Sequence, residues 1–251
     1  MMTERHAVTR VRHELRRREL TVASVERLTP MMVRVRLEGD DLAGFVSAGF
    51  DDHVKLFFPA EAGLESPPMR DYTPRRFSDR ELIIDFALHE AGPATDWAAK
   101  VRPGDGLTVG GPRGSFVVAD DFDWTLLIGD ETALPAIGRR LEELRPGTRA
   151  IVVAAVAGPE EEQAFETRAD LTVRWVHRPL SQATDPTPLL AAVRTLDLPE
   201  GDGYAWAAGE SATAKALREH LVGERGLNKA WVKAAGYWRR GAAGVHETHG
   251  D

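Results

Sequence analysis

Residues 125–158, TLLIGDETALPAIGRRLEELRPGTRAIVVAAVAG, decide the fold of the second half of this chain. The run TLLIGD has the pattern of a buried strand, and residues 133–144 carry apolar side chains at helical spacing. The run AIVVAAVAG at 150–158 is almost entirely apolar, as in parallel strands that are covered on both faces. A strand, a turn, a helix and a second strand in this order indicate a βαβ unit.

The same alternation continues toward the end of the chain. Further strands are predicted at 171–177, 204–209 and 230–238, and further helices at 160–168, 188–195 and 211–222. Strands that alternate with helices predict an open, doubly wound α/β domain, here over residues 123–242. Residues 243–251 are predicted to be a disordered tail.

The first half of the chain predicts β structure instead. Short alternating runs at 20–28, 31–37, 53–59, 81–89 and 105–118 are separated by turn signals, and one short helix is predicted at 95–101. Several short strands with frequent turns indicate a small barrel or sandwich. This domain is predicted over residues 19–122, after a basic, solvated lead-in at 1–18.

The composition excludes several classes of protein. The 251 residues include no cysteine, which excludes disulfides, cysteine-ligated zinc or iron–sulfur centres and a cysteine nucleophile. A net charge of −7 argues against nucleic-acid binding. The sequence has neither the roughly 18 apolar residues of a membrane helix nor the apolar core of a secretory signal. We therefore expect a cytoplasmic protein without a membrane partner, and a monomer, because no long exposed apolar stripe stands out.

The first candidate binding motif is RDYTPR at residues 70–75. In an extended segment Arg70 and Tyr72 share one face, while Thr73 points the other way. A tyrosine that packs on a ring and an arginine that pairs with a phosphate oxygen suit a flat ring with a phosphate tail. The alternative is an ordinary strand with a surface arginine and a core tyrosine.

The second candidate motif is DFALHEAGPATDW at residues 85–97. It predicts the end of a strand, a Gly-Pro turn and a helix that Thr95 caps, and the free amides at a helix start bind phosphate readily. The small residues Gly92 and Ala94 allow close approach to the backbone. His89, at the strand end, is a general acid or base, a hydrogen-bonded structural residue or a ligand contact.

The third candidate motif is GDETALPAI at residues 129–137, which follows a strand and opens a helix as a nucleotide-binding turn does. It is not GxGxxG, because Glu131 stands where a second glycine would allow closest approach to a pyrophosphate. The acidic pair Asp130 and Glu131 would also repel phosphate. The residues alone therefore leave nicotinamide binding open.

Taken in chain order, the motifs RDYTPR, HEAGPATDW, RPGD, GPRGSF, GDETALPAI, WAAGE and GYWRRG resemble the siderophore-interacting proteins, which are flavin-dependent ferric-siderophore reductases related to ferredoxin-NADP reductases. The resemblance covers residues 10–241. It implies an N-terminal six-stranded antiparallel β-barrel that binds FAD, followed by the doubly wound α/β domain for NADPH or NADH. The implied activity transfers electrons from the nicotinamide through FAD to an Fe(III)-siderophore and releases Fe(II).

The resemblance also implies the site residues. Contacts to FAD are expected from Arg70, Asp71, Tyr72, Thr73, Asp85, Phe86, Ala87, Leu88, His89, Ala94, Thr95, Gly236, Tyr237 and Trp238. Contacts to the nicotinamide nucleotide are expected from Gly129, Asp130, Glu131, Thr132, Ala133, Ala208, Gly209 and Glu210.

The iron needs no protein ligand in this scheme, because the siderophore already wraps it, and no side chain is required as an acid or base. The cations Lys55, Arg239 and Arg240 are expected to attract an anionic ferric siderophore. Three alternatives stay open: a general flavin or electron-transfer reductase, a ferredoxin as electron donor, and a flavin- or siderophore-binding module without turnover.

Overall fold

The computed structural model describes residues 5–59, 66–88, 92–241 and 247–249. The chain divides into two compact units, one formed by Val8–Val118 and one that combines Met1–Ala7 with Ala119–Asp251. The division after Val118 lies a few residues before the boundary that we predicted from the sequence.

The described part of the first unit contains nine strands and one α-helix. They are β1 (Val8–Arg12), β2 (Arg17–Thr29), β3 (Met32–Glu38), β4 (Val54–Phe57), β5 (Met69–Tyr72), β6 (Arg76–Phe77), β7 (Glu81–Ala87), α1 (Pro93–Ala98), β8 (Gly106–Gly110) and β9 (Gly114–Val118). Seven of these strands form an antiparallel sheet in the order β5-β4-β8-β2-β3-β7-β6, and β1 pairs with β9 separately.

The seven-stranded sheet is curled. Its two edge strands, β5 and β6, are separated in the chain only by residues 73–75. A flat sheet of this width would hold its edges about 29 Å apart, at about 4.8 Å per strand. The connection spans at most about 14 Å, so the edges must approach each other. The antiparallel barrel-type fold is thus confirmed, with seven paired strands where six were expected.

Alternation along the strands builds the core of the first unit. Val33, Val35 and Leu37 of β3 are buried, whereas Arg34 is half-buried and Arg36 is exposed. This is the pattern that the sequence VRVRL predicts, with one apolar face and one arginine face. The apolar face packs with buried residues of the neighbouring strands around one hydrophobic cluster.

The described part of the second unit alternates strands and helices. Its elements are β10 (Trp124–Asp130), α2 (Leu134–Glu143), β11 (Arg149–Val156), β12 (Asp170–His177), α3 (Thr187–Arg194), β13 (Gly203–Glu210), α4 (Ser211–Glu219), β14 (Val232–Trp238) and β15 (Glu247–His249). The strand order is β12-β11-β10-β13-β14-β15, parallel except for β15. This confirms the predicted doubly wound domain.

The order of the parallel strands reverses between β10 and β13. In open α/β sheets, ligands bind outside the carboxyl ends of the strands at such a switch point. Gly129 of β10 pairs with Ala208 of β13 in the register, so the two stretches predicted to bind nucleotide end side by side. The fold therefore brings both to one place.

Two predicted helices differ from the structure. Helix α1 begins at Pro93 with Gly92 as its N-cap, because proline fits the first helical position, so Thr95 lies inside the first turn. Residues 160–168 form no α-helix: a single 3-10 turn, Pro159–Glu161, precedes irregular chain in which Phe165 stacks on Trp175, with ring centroids 5.9 Å apart.

The two chain ends also differ from the prediction. Within the supposed lead-in, Val8–Arg12 pairs with β9, and Arg18 is buried and donates to the Gly111 carbonyl at 2.8 Å. Within the supposed tail, Glu247–His249 pairs with β14, which otherwise has unpaired backbone groups along that edge.

His6 ties the N-terminal residues to the second unit. Its ring is buried between two carboxylates, with Nδ1 3.0 Å from Asp121 and Nε2 2.9 Å from Asp202. The ring also stacks on Phe122, with centroids 4.4 Å apart. Residues 5–7 therefore form part of the packing of the second unit.

No helix in the described part of the chain is long and apolar enough to span a membrane.

Candidate functional site

The edge strand β5 positions Arg70 and Tyr72. Tyr72 lies opposite Val54 in the antiparallel register, and Arg70 lies opposite Leu56. Val54 and Leu56 are buried, and directly opposed residues project on the same face of a sheet. Arg70 and Tyr72 therefore share the inner face of the curled sheet, as the extended reading of RDYTPR predicted.

Tyr72 belongs to an aromatic cluster that it forms with Phe86, Trp97 and Phe58. The ring centroids of Tyr72 and Phe86 are 4.5 Å apart, and Trp97 lies 5.5 Å from Phe86 and 5.6 Å from Phe58. Burial raises the pKa of the Tyr72 hydroxyl, against a small opposing effect of the Arg70 charge. The phenol, which is protonated at neutral pH in any case, is thus held still more firmly in the form that can donate a hydrogen bond.

The residues around β5 and α1 fit FAD in their chemistry. Arg70 and Tyr72 are half-buried rather than covered, and they offer a cation and a ring face backed by the aromatic cluster. At the start of α1, Pro93 has no N–H, while the amides of Ala94 and Thr95 precede the first intrahelical bond from Asp96 to Gly92. A ring face, a cation and hydroxyl and amide donors suit a flat ring system joined to a diphosphate.

Two carboxylates predicted to contact FAD are engaged within the chain. Asp71 lies on the outer face of β5, where Lys55 Nζ donates to it at 2.8 Å. Asp85 is buried and accepts two hydrogen bonds from Arg34, at 2.7 and 2.8 Å. The Asp85 carboxylate raises the pKa of Arg34 by hydrogen bonding. Asp85 therefore joins β3 to β7.

The other predicted residues of this stretch lie behind the site or outside the described chain. Phe86 is fully buried and supports Tyr72 from below, Ala87 is buried, and Leu88 is half-buried against the same core. Thr73 is buried at the end of β5. His89 lies outside the residues that the structure describes.

In the second unit, the Asp130 carboxylate accepts four hydrogen bonds. Its Oδ1 accepts from the backbone N–H of Thr132 at 2.9 Å and from its hydroxyl at 2.5 Å. Its Oδ2 accepts from the Glu210 N–H at 3.0 Å and from the Trp238 indole at 2.8 Å. This one side chain thus connects the ends of β10, β13 and β14, and its charge is satisfied inside the protein.

Glu131 forms an ion pair with Arg178, whose guanidinium lies 2.7 Å from the carboxylate. Both side chains are largely buried. Burial and the neighbouring Asp130 charge raise the pKa of Glu131, and Arg178 opposes this only in part. The acidic pair of the turn is therefore turned toward protein donors, which removes much of the repulsion that the sequence suggested.

A small cleft opens at the switch point of the parallel sheet. It is lined at the strand ends by Asp130, Ala155, Arg178, Ala208, Gly209 and Glu210, and beyond them by Ala183, Asp185, Pro188, Leu189 and Thr213. Gly209 has φ +145°, and a Cβ there would lie 2.5 Å from an Asp130 oxygen. Of the predicted nucleotide residues, the cleft thus gathers Asp130 of β10 and Ala208, Gly209 and Glu210 of β13.

Sequence reasoning missed three residues that shape these sites: Arg34, Arg178 and Thr213. Arg178 follows β12 directly, at the same carboxyl end of the sheet as Asp130, so its place after a strand was a usable signal. Arg34 gave no such signal, because its role depends on the register with β7. The predicted siderophore contacts lie at exposed positions, Lys55 on β4 and Arg239 and Arg240 after β14.

The raised pKa of Glu131 makes the stability of the protein depend on pH. A raised pKa means that the folded protein binds a proton at the Glu131 carboxylate more tightly than the unfolded chain does. Glu131 therefore contributes least to stability at pH values above its folded-state pKa. We expect wild-type stability to decline, relative to Glu131→Gln, as pH rises from the usual glutamate value of 4.5. Urea unfolding at a series of pH values measures this difference.

The control for losing one negative charge is Glu160→Gln, at an exposed glutamate of the same unit. Its stability should track that of the wild type across the pH series. A wild type that instead gains stability over Glu131→Gln with rising pH would mean that pairing with Arg178 outweighs burial, contrary to this prediction.

The curled antiparallel unit and the doubly wound unit together define the fold of ferredoxin-reductase-like flavoproteins. Residues 122–241 match the model of the siderophore-interacting protein family, and residues 21–66 and 63–116 match the siderophore-interacting FAD-binding domain. The chain belongs to the siderophore-interacting protein family.

Relatives align with the chain over nearly its whole length. An NADPH-dependent ferric-chelate reductase from Escherichia coli is 38% identical over 249 residues, which cover 91% of this chain and 95% of the relative. The ferric vibriobactin reductase ViuB of Vibrio cholerae is 32% identical, with 84% of each chain covered. The crystal structure of a siderophore utilization protein from T. fusca is 38% identical, with a TM-score of 0.88 over 97% of this chain and 100% of that one.

Proposed function

We propose that this protein is an FAD-dependent ferric-siderophore reductase that uses NADPH or NADH to reduce chelated Fe(III) to Fe(II). The observation that carries the proposal is the match of both units to one family, together with the 38% identity to an NADPH-dependent ferric-chelate reductase. That relative's name favours NADPH as the electron donor.

When bound, FAD supplies hydride acceptance from a nicotinamide and onward transfer of single electrons. The chain's own residues bind and orient. Tyr72 offers a ring face supported by Phe86, Arg70 offers a cation for the diphosphate, and the amides at Ala94 and Thr95 offer further donors. In this proposal no side chain moves a proton.

The substrate is proposed to be iron already wrapped by a siderophore. Within the described ranges no cluster of three or more His, Asp or Glu side chains is arranged to hold a metal ion. Lys55, Arg239 and Arg240 are proposed to attract an anionic chelate, with Lys55 exchanging its contact to Asp71 for the ligand. Fe(II) is less tightly held than Fe(III) by hard oxygen donors, so reduction releases the metal.

We further propose a cytoplasmic monomer. A reduced ferredoxin is the alternative donor if neither nicotinamide reacts. A binding module without turnover is the alternative class.

The decisive experiment mixes the FAD-loaded protein with NADPH or NADH under anaerobic conditions and then adds a ferric siderophore. We expect the visible flavin absorbance to bleach and then to recover, with one Fe(II) trapped by a ferrous chelator for each electron delivered. Bleaching without recovery would indicate a reductase for another acceptor. If reduced ferredoxin bleaches the flavin and neither nicotinamide does, ferredoxin is the donor. If no donor bleaches the flavin, the proposal is overturned.

A further inference from the structure

We propose that Asp130 is a positioning residue that fixes the Trp238 indole beside the switch-point cleft, so that the indole contacts a nicotinamide dinucleotide bound there. The proposal rests on the proposed function for its ligand, a nicotinamide dinucleotide. Its structural part concerns only residues of the second unit.

The geometry at Asp130 leaves little freedom for Trp238. The carboxylate is buried, and Oδ2 accepts both the indole N–H at 2.8 Å and the Glu210 N–H at 3.0 Å. Thr132 holds the other oxygen, because its N–H and its hydroxyl both donate to Oδ1. The direction of the indole N–H is thus set by an acceptor that is itself fixed by three further donors.

The chain is shaped for this contact at two other positions. Gly209 leaves the space beside the carboxylate that a Cβ would fill. The register between β13 and β14 shifts at Gly209 and Glu210, which brings Trp238 opposite Glu210. The shift places the last residue of β14 next to β13 at the carboxyl end of the sheet, where the cleft opens.

Only an ionised aspartate satisfies all four donors. Its two oxygens are acceptors throughout, whereas asparagine replaces one of them with an NH₂ donor. In Asp130→Asn, the amide nitrogen would face either the Thr132 pair or the Glu210–Trp238 pair. This explains why an acidic residue stands in a turn that is expected to bind an anionic nucleotide.

The bond itself is tested by the indole N–H resonances of ¹⁵N-labelled, oxidised, FAD-loaded protein. Trp238→Phe identifies the Trp238 signal by its loss. We expect this signal to be shifted downfield and slow to exchange in the wild type, and to lose both properties in Asp130→Asn. Thr132→Ala is the matched control, since it removes a donor to the same carboxylate and should leave the indole signal in place.

The contact between the indole and the ligand is tested by titrating the same oxidised protein with NADP⁺, which binds without turnover. We expect the Trp238 signal to shift on binding, and the Kd to rise about tenfold in Asp130→Asn and in Trp238→Phe. Because both variants remove one shared function, the double variant should bind no more weakly than either single one.

Three outcomes would overturn the proposal: a Trp238 signal that is unchanged in Asp130→Asn, a signal that NADP⁺ does not move, or single-variant effects that multiply in the double variant. If Asp130→Asn does not fold, slow indole exchange in the wild type and the Trp238→Phe affinity decide the question. A protein that passes these tests but fails to reduce iron would refute the proposed function and leave this inference standing.

Discussion

The triple variant Arg70→Ala/Tyr72→Ala/Thr73→Ala is expected to purify with at least about tenfold less FAD than the wild type. The substitutions remove the cation and the ring face from the inner face of β5, together with the buried Thr73 hydroxyl at the end of this strand. The ratio of visible flavin absorbance to protein absorbance measures the loss. Added FAD should restore it only at high concentration.

The matched control is Arg36→Ala/Glu81→Ala, which removes an exposed ion pair of 3.0 Å from the outer face of the same sheet. This variant should retain FAD, because its side chains lie away from the inner face. A triple variant that purified with stoichiometric FAD would show that the flavin site has been placed wrongly. Circular dichroism of both variants separates loss of the ligand from loss of the fold.

Asp85→Ala is expected to destabilise the FAD-free protein by about 3–5 kcal/mol, the usual range for removing one partner of a buried ion pair. Arg34 would lose both of its short hydrogen bonds and keep a half-buried charge without its carboxylate. Urea unfolding without added flavin measures the free energy of unfolding.

Glu81→Ala provides the comparison within the same strand. Its partner Arg36 is exposed, so the loss should be within about 1 kcal/mol. If Asp85→Ala were as stable as the wild type and lost only FAD, Asp85 would be a ligand contact, as the family resemblance implied, and the structural role would be wrong.

The architecture was largely predictable because its signals are local. The apolar runs before Asp130 and after residue 149 gave the parallel strands, since a strand covered on both faces has no room for polar alternation. The alternation at residues 33–37 predicted a half-buried strand, because a strand with one face in the core and one in solvent alternates apolar and polar residues. The resemblance over seven ordered motifs then supplied the antiparallel flavin-type unit, which the family match confirms.

The site chemistry was less predictable because its partners are far apart in the chain. Asp85 meets Arg34 across 51 residues, Glu131 meets Arg178 across 47, and Asp130 meets Trp238 across 108. Nothing in a local pattern specifies which donor each carboxylate will meet. The acidic turn therefore suggested repulsion of phosphate, whereas the structure turns both carboxylates toward donors of the chain itself.

His6 has a practical consequence for dividing this protein into parts. The family match for the α/β half begins at residue 122, yet a fragment that begins there lacks the imidazole between Asp121 and Asp202 and the ring stacked on Phe122. Such a fragment exposes the face of Phe122 on which His6 stacks and leaves Asp202 without its contact to the imidazole. An excised nucleotide domain that retains its native packing must carry residues 5–7 as a separate or rejoined segment, because the intact chain supplies them from its opposite end.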